Sequence, residues 1–429
     1  MKKFLLYYYL ILLLVLSTWN SETLPPFALR MAYLVAVLIP MFGKNAPMFP
    51  CILSMFVIIS ANRFIPSYMP FMPEYLFVVT LALLLFTKKK KSVPPKKVLI
   101  ILAVLTFLVD LIHSSSIESI TFTIVTVIVF FRFLDSDLQK LSSGMSWSFV
   151  VIAAFLCIET IVHRNEATYE LEVAGESFDR VGWSDPNYFT GIIGMGVIAA
   201  LQLLLFNKDI RRWQQYVLIG SILLVFFVSL LMASRGGIAA MVGSSLILLL
   251  LSRRRGERST IILMLLIVFA VVMYTIGAFD LLLFRLFADE GDMSGRTVIW
   301  ANKLADFAAS ATPIDWIFGI GHKAALTTSS RSGIAIGFHN DYISFLLSYG
   351  IIGLILFVVS LCYPIFKYKN ARVTAGMIYL LMLSFSLEPI TSGGLGYFYL
   401  YFYLCVLGQS DNNTIRSERQ EITTKSYIK

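Results

Sequence analysis

Apolar runs of roughly 20 residues recur along this chain from Phe4 to Leu407, and that is the length a helix needs to cross the hydrocarbon core of a bilayer. Inside hydrocarbon every backbone amide and carbonyl has to be satisfied within the span, which leaves the helix as the form such runs take. The bulk composition agrees: 58% of the 429 residues are hydrophobic and 14% charged, with mean hydropathy +0.78, whereas soluble domains carry about 25% charged residues. The fold class expected is an all-α integral membrane protein with about 12–14 transmembrane helices. The first run follows Met1, Lys2 and Lys3 with no small-residue cleavage site before Asn20 and Ser21, so it reads as a retained first helix.

Polar breaks divide the chain further. N-terminal helices occupy 1–144, with spans near 4–18, 27–42, 46–61, 73–87, 98–112 and 117–133. A central group over 145–279 holds spans near 145–162, 187–206, 213–233, 237–251 and 260–279, with a first long loop at 163–187 and a Ser-Arg-Gly-Gly turn at 234–237. A large polar loop over 280–338 is expected to contain short helices, C-terminal helices fill 339–409 with spans near 343–366, 373–388 and 394–408, and a polar tail covers 410–429.

The net charge of +9 does not imply a nucleic-acid partner, because Lys and Arg gather in alternate loops: Lys88–Lys91 with Lys96 and Lys97, Arg211 and Arg212, Arg253–Arg255 with Arg258, and Lys367, Lys369 and Arg372. By the positive-inside rule these loops and both termini are cytosolic, and the two long loops lie on the other side. Cys51, Cys157, Cys362 and Cys405 all fall inside apolar runs without ligand spacing. Neither a disulfide framework nor a metal or other cofactor is expected from them.

On the outer side basic residues are scarce, so those present draw notice: Arg180, Arg235, Arg285, Arg296 and His339, with Arg164, Lys303, Lys323 and Arg331 nearby. Arg235 follows a tight turn and begins the next helix, while Ser294 is placed to cap a helix that has Arg296 in its first turn and Trp300 one turn on. Asp185 and Pro186 read as the cap and first residue of the helix that follows Arg180. Helix N-termini present amide hydrogens and the positive end of the dipole, and arginines added to them make anion sites, as for a phosphate or pyrophosphate. At helical spacing His339, Tyr342, Ile343, Leu346 and Gly350 would share a face. Neutral imidazole accepts a proton near physiological pH, and neighbouring arginines favour the neutral form, so a base role is available to His339.

The Arg180-x10-Gly191 spacing, the turn containing Arg235 and Gly236, the segment Gly295–Trp300 with Arg296, the Gly319–His322 turn and the His339-x10-Gly350 segment together resemble the O-antigen polymerase and O-antigen ligase superfamily (Wzy type). The resemblance covers roughly residues 160–366. It implies a GT-C-like membrane scaffold that transfers glycan from an undecaprenyl diphosphate donor at the periplasmic face of the bacterial inner membrane, without a bound metal. It also implies Arg180, Arg235 and Arg296 on the donor pyrophosphate, with Arg285 less clearly matched, His339 as the catalytic base, and Gly191, Gly236, Trp300 and Gly350 as motif positions. The outer carboxylates Glu172, Glu176, Asp179, Asp289, Glu290, Asp292 and Asp341 form a reserve for the base.

Polymerisation of lipid-linked repeat units is the leading expectation. Partners would then be the lipid-linked donor, an acceptor glycan or lipid, membrane lipids and a chain-length regulator. A ligase passing the glycan to lipid A core is the near alternative, and a lipid-linked oligosaccharide flippase or transporter the distant one. Against the last stands the position of Asp110, Glu118, Glu159 and Glu388 near the ends of spans, since transporters are expected to carry ionisable groups near the bilayer centre.

The charge asymmetry predicts that Glu172→Cys and Thr327→Cys, in a cysteine-free background, react with an impermeant thiol reagent applied from outside, while Ser92→Cys does not. Outside labelling at position 92 would reverse the orientation.

Overall fold

The computed structural model describes residues 96–113, 138–162, 164, 168–173, 176–181, 186–207, 209–252, 257–288, 296–327, 337–387 and 396–409. The spans expected before residue 96 and at 117–133, the retained first helix and the tail lie outside the described residues. The helices are α1 (Lys96–His113), α2 (Leu138–Val162), α3 (Pro186–Phe206), α4 (Arg212–Met232), α5 (Arg235–Ser252), α6 (Glu257–Thr275), α7 (Asp280–Ala288), α8 (Arg296–Ser310), α9 (Pro313–Phe318), α10 (His322–Thr327), α11 (Asp341–Tyr368), α12 (Ala371–Ser386) and α13 (Gly396–Gly408). Six of the described helices are long and apolar enough to cross a membrane, and α12 is a shorter apolar helix. The expected helical membrane architecture holds, and the 280–338 loop carries the short helices α7 to α10.

One element departs from the all-α expectation. The first long loop contains an antiparallel hairpin, β1 (Thr168–Val173) and β2 (Glu176–Val181), with Tyr169 opposite Arg180 and Val173 opposite Glu176. Alternation in the sequence from Thr168 to Val181 is short and interrupted by charge, and two six-residue strands leave little periodic signal to read.

Residues between the spans define two ends. The turn linking α4 to α5, the end of α6, the start of α11 and the end of α12 fall together at one end, with the start of α3. Arg211, Arg212, Lys367, Lys369 and Arg372 join helices at the other. α3 is buried along most of its length and packs against α2, α4 and α5, while α12 packs on α5 and α11. Small residues let these backbones approach, the usual basis of helix association in lipid. A Cβ at Gly237 would come within 2.7 Å of Thr190 on α3, and one at Gly194 would overlap the Tyr379 hydroxyl of α12. Tyr379 in turn donates to the Gly191 carbonyl at 2.5 Å. The glycine of the Arg180-x10-Gly191 motif is therefore a packing position beneath α12.

α11 is not one continuous helix. Gly350 sits at φ 68°, ψ −170° and breaks it, because the turn 319–321 crosses there backbone to backbone. Ile320 N donates to Leu347 O at 3.1 Å and Gly321 N to Ser348 O at 3.0 Å, so carbonyls released at the break are satisfied by amides from another segment. A Cβ on Gly319 would strike the Ser348 carbonyl, and one on Gly350 the Ile317 carbonyl. Gly319 and Gly321 also have positive φ, 82° and 80°. The expectation that Gly350 permits close approach is met, but the visitor is a turn and not a helix. His339 and Gly350 consequently do not share a helical face; they bracket the short helix 341–349.

Gly350→Ala should cost about 2 kcal/mol or more, from left-handed strain together with overlap of backbone, read as a fall in the thermal midpoint of detergent-purified protein. The control is Gly220→Ala on α4, where an added Cβ meets nothing within 4 Å, expected to shift stability by no more than about 0.5 kcal/mol downward and more readily upward. Equal losses in both would remove the crossing as the cause.

Candidate active site

Ala233 ends α4 in the left-handed conformation, φ 47° and ψ 40°, and the chain re-enters a helix within two residues. Arg235 is thus the first residue of α5. Its Nη1 donates to the carbonyl of Arg285 at 3.0 Å, and the Arg285 guanidinium donates to the carbonyl of Ala233. The two arginines, 50 residues apart, are locked by this exchange. Arg285 lies in the last turn of α7, where a cation suits the negative end of the helix dipole, and only 3% of it is exposed.

Arg296 opens α8 as its first residue and donates through Nη1 to the Ser386 carbonyl at the end of α12, at 2.5 Å. That carbonyl is within reach because Gly236 has no side chain; a Cβ there would overlap Ser386 Cβ and Oγ.

Arg235, Arg285 and Arg296 line one cavity of about 480 Å³. Three helices begin at its wall, through Asn187 in the first turn of α3, Arg235 and Gly236 in α5, and Arg296 in α8. Ala239, Leu286, Met382 and Phe385 give it an apolar side. Three guanidinium groups and three positive helix ends converge on one space, an arrangement that favours a multiply charged anion. The apolar side suits a hydrocarbon tail attached to it.

His339 is not among the described wall residues but stands at their border. Trp300, a wall residue, donates Nε1 to the carbonyl of Phe338 at 2.7 Å, and Tyr188, next to Asn187, places its ring 6.2 Å from the imidazole. The helix cap is Asn340, whose side chain accepts from Ile343 N at 3.2 Å. His339 precedes the cap at φ 51°, in the left-handed region, and so lies outside the helix whose face it was expected to share. Asp341 is fully buried; its Oδ2 accepts from Ser384 Oγ at 3.0 Å and its amide donates to Leu387 O at 3.1 Å. The start of α11 is thereby tied to the end of α12, the same end that receives Arg296.

Of the arginines expected on an anion, the structure brings three into one wall. Arg180 is placed by its backbone, on β2 opposite Tyr169. Trp300 and Gly236 belong to the wall, whereas Gly191 and Gly350 act through packing. Ser294, Asp185, Asp289, Glu290 and Asp292 lie outside the described residues. Met382, Phe385 and Ser386 share a face at spacings of 3 and 1, but in the sequence nothing distinguishes them from other residues of an apolar span. Asp110, in the sequence only a residue near a span end, has a structural task. Its carboxylate accepts from the amide of His322 and from Tyr349 Oη, each at 3.1 Å, which pins the 319–321 turn to α1. His322 Nδ1 lies 3.4 Å from Ser348 Oγ. Among the described residues no group of three or more His, Cys, Asp or Glu could hold a metal ion.

A family model described as O-antigen ligase (Wzy_C) matches residues 220–358. The matched segment runs from α4 into α11 and contains Arg235, Arg285, Arg296 and His339, and it supports the O-antigen ligase and polymerase superfamily. No curated protein matches the chain.

The backbone at position 339 makes a prediction about stability. Asn tolerates the left-handed region, whereas a β-branched residue is strained there. His339→Asn should therefore change unfolding free energy by no more than about 0.5 kcal/mol, and His339→Val should cost about 1 kcal/mol or more. Thermal denaturation of the two variants decides it; an equal effect would mean that the conformation at 339 is not retained.

Proposed function

We propose, from the match of residues 220–358 to the O-antigen ligase family model, which supports the O-antigen ligase and polymerase superfamily, that this chain transfers glycan from undecaprenyl diphosphate to an acceptor hydroxyl, building polymer from lipid-linked repeat units. The observation that carries the reading is the single cavity walled by Arg235, Arg285 and Arg296 beside an apolar surface. A glycosyl diphosphate already has a competent leaving group, so the protein has to neutralise the departing diphosphate and hold the acceptor in line. The anomeric carbon–oxygen bond to the diphosphate breaks, with the electron pair leaving on the lipid diphosphate among the arginines. A bond from the acceptor oxygen to the anomeric carbon forms on the opposite face, with inversion, and the acceptor proton passes to His339. The cavity lies at the end of the bundle opposite the basic loops, which by the positive-inside rule is the periplasmic face of a bacterial inner membrane.

A second reading is favoured by the description of the matched family, O-antigen ligase: transfer of the same glycan to lipid A core. The donor half of the chemistry is shared, and the acceptor alone differs. Purified protein in liposomes, given a lipid-linked repeat, separates the two. A ladder of products on lipid diphosphate supports polymerisation, transfer to added lipid A core supports ligation, and unchanged donor with both acceptors present would sink the transfer reading.

In the same assay Arg235→Lys and Arg296→Lys should each lower kcat/KM at least about tenfold, because an ammonium cannot reproduce the planar fork of a guanidinium on phosphate. His339→Asn should lower turnover about a hundredfold with donor affinity retained, since Asn suits the backbone but takes no proton at neutral pH. Full activity in Arg235→Ala and Arg296→Ala, at normal abundance, would exclude the arginine assignment.

A further inference from the structure

Lys303 is a cation with no exposed surface at all, 0%, in a segment where nearby helices are half open to solvent. Burial of an ammonium is costly unless its donors are met. Its Nζ donates to the carbonyls of Leu326 at 2.9 Å and Ala325 at 3.3 Å, near the C-terminal end of α10 where carbonyls lack helical partners. The same Nζ lies 4.5 Å from the centre of the Phe338 ring, within cation–π range.

Arg296, Trp300, Lys303 and Phe307 follow one another at helical spacing along a single face of α8. The first lines the cavity. The second holds the carbonyl of Phe338 and the third holds its ring. Phe338 is itself fully buried, packed with Phe307, Ala325 and Leu347. His339 comes next in the chain and Asn340 caps α11, so a residue clamped at ring and carbonyl stands immediately before the histidine.

We infer that Lys303 is a positioning residue: through Phe338 it holds His339, at the border of the cavity, in fixed register with Arg296 in its wall. An apolar side chain of the same length would fill the space but leave two carbonyls without a donor and the ring without its cation. This inference rests on the glycan-transfer reading for its kinetic consequence, and on geometry alone for the clamp.

The test uses Lys303→Met in the full chain, reconstituted and supplied with a lipid-linked repeat. We expect kcat to fall at least about tenfold while KM for the donor stays within about threefold, since the arginine wall is untouched. Backbone amides of 338–341 should exchange with deuterium at least about tenfold faster, with those of α3 unchanged. A role confined to folding would raise exchange throughout and lower abundance without a selective loss of kcat. Phe338→Leu, which removes the ring and keeps apolar volume, should reproduce both effects and serves if Lys303→Met does not accumulate. Undiminished kcat with faster local exchange overturns the positioning role, and unchanged exchange at 338–341 overturns the clamp. Wild-type protein that transfers no glycan overturns the transfer reading and with it the kinetic half, while the exchange measurement still decides the clamp.

Discussion

The end of this bundle that carries the arginine-lined cavity is organised by one backbone crossing, where the 319–321 turn donates two amides into the interrupted helix at Leu347 and Ser348. Irregular backbone at a membrane-embedded or membrane-adjacent level survives only when its polar groups find partners in the protein. Gly319 and Gly350 make the exchange possible, each occupying the place where the other segment's backbone passes. Asp110 fixes the same turn to α1 through the His322 amide, and Tyr349 joins it there. With the turn pinned, α8 to α10 are held against α11, and Phe338, beside the start of α11, is buried among Phe307, Ala325 and Leu347.

The arginine wall is built from the opposite direction, by carbonyl groups at element ends. Arg235 and Arg285 each bond the backbone next to the other, and Arg296 bonds the end of α12. A guanidinium has five donors, so one directed at a carbonyl fixes its plane without exhausting it. Like charges and positive helix ends gathered in one place repel, and an anion among them relieves that repulsion. Small residues underlie this placement: Gly236 admits Ser386, and Gly237 lets α5 settle on Thr190 of α3. The anion wall and the glycine packing are thus parts of one geometry, and the amphipathic cavity they enclose matches a charged head with an apolar chain.

Histidine and arginines are coupled through α8. Trp300 belongs to the wall and also bonds the Phe338 carbonyl, while Asp341 ties the beginning of α11 to Ser384 and Leu387 on the side where Arg296 ends. Displacement of either group therefore moves elements that hold the other. For the transfer proposed above, such coupling would keep His339 and the arginine wall at a set separation.

Hydropathy and punctuation alone located most of what is local. Pro186, Arg235, Arg296 and Ser386 lie within a few residues of the helix ends read from polar breaks, because a span's length and its first and last turns are dictated by nearby residues. The basic loops gave the two ends, and the scarcity of cations at one of them drew attention to Arg235, Arg285, Arg296 and Lys303. What tertiary structure decided was everything that joins residues far apart in sequence. Arg285, the least clearly matched of the arginines in the sequence, lies in the wall and bonds Ala233, 52 residues away. The break at Gly350 lies hidden in an apolar run, since the donors that make it tolerable come from Ile320 and Gly321, and the left-handed backbone of His339 stands between Phe338, whose carbonyl Trp300 holds, and the cap Asn340. Periodicity reports which face of a helix is apolar; it carries no record of which distant carbonyl will meet an arginine, because that is set only when glycines have let the backbones close.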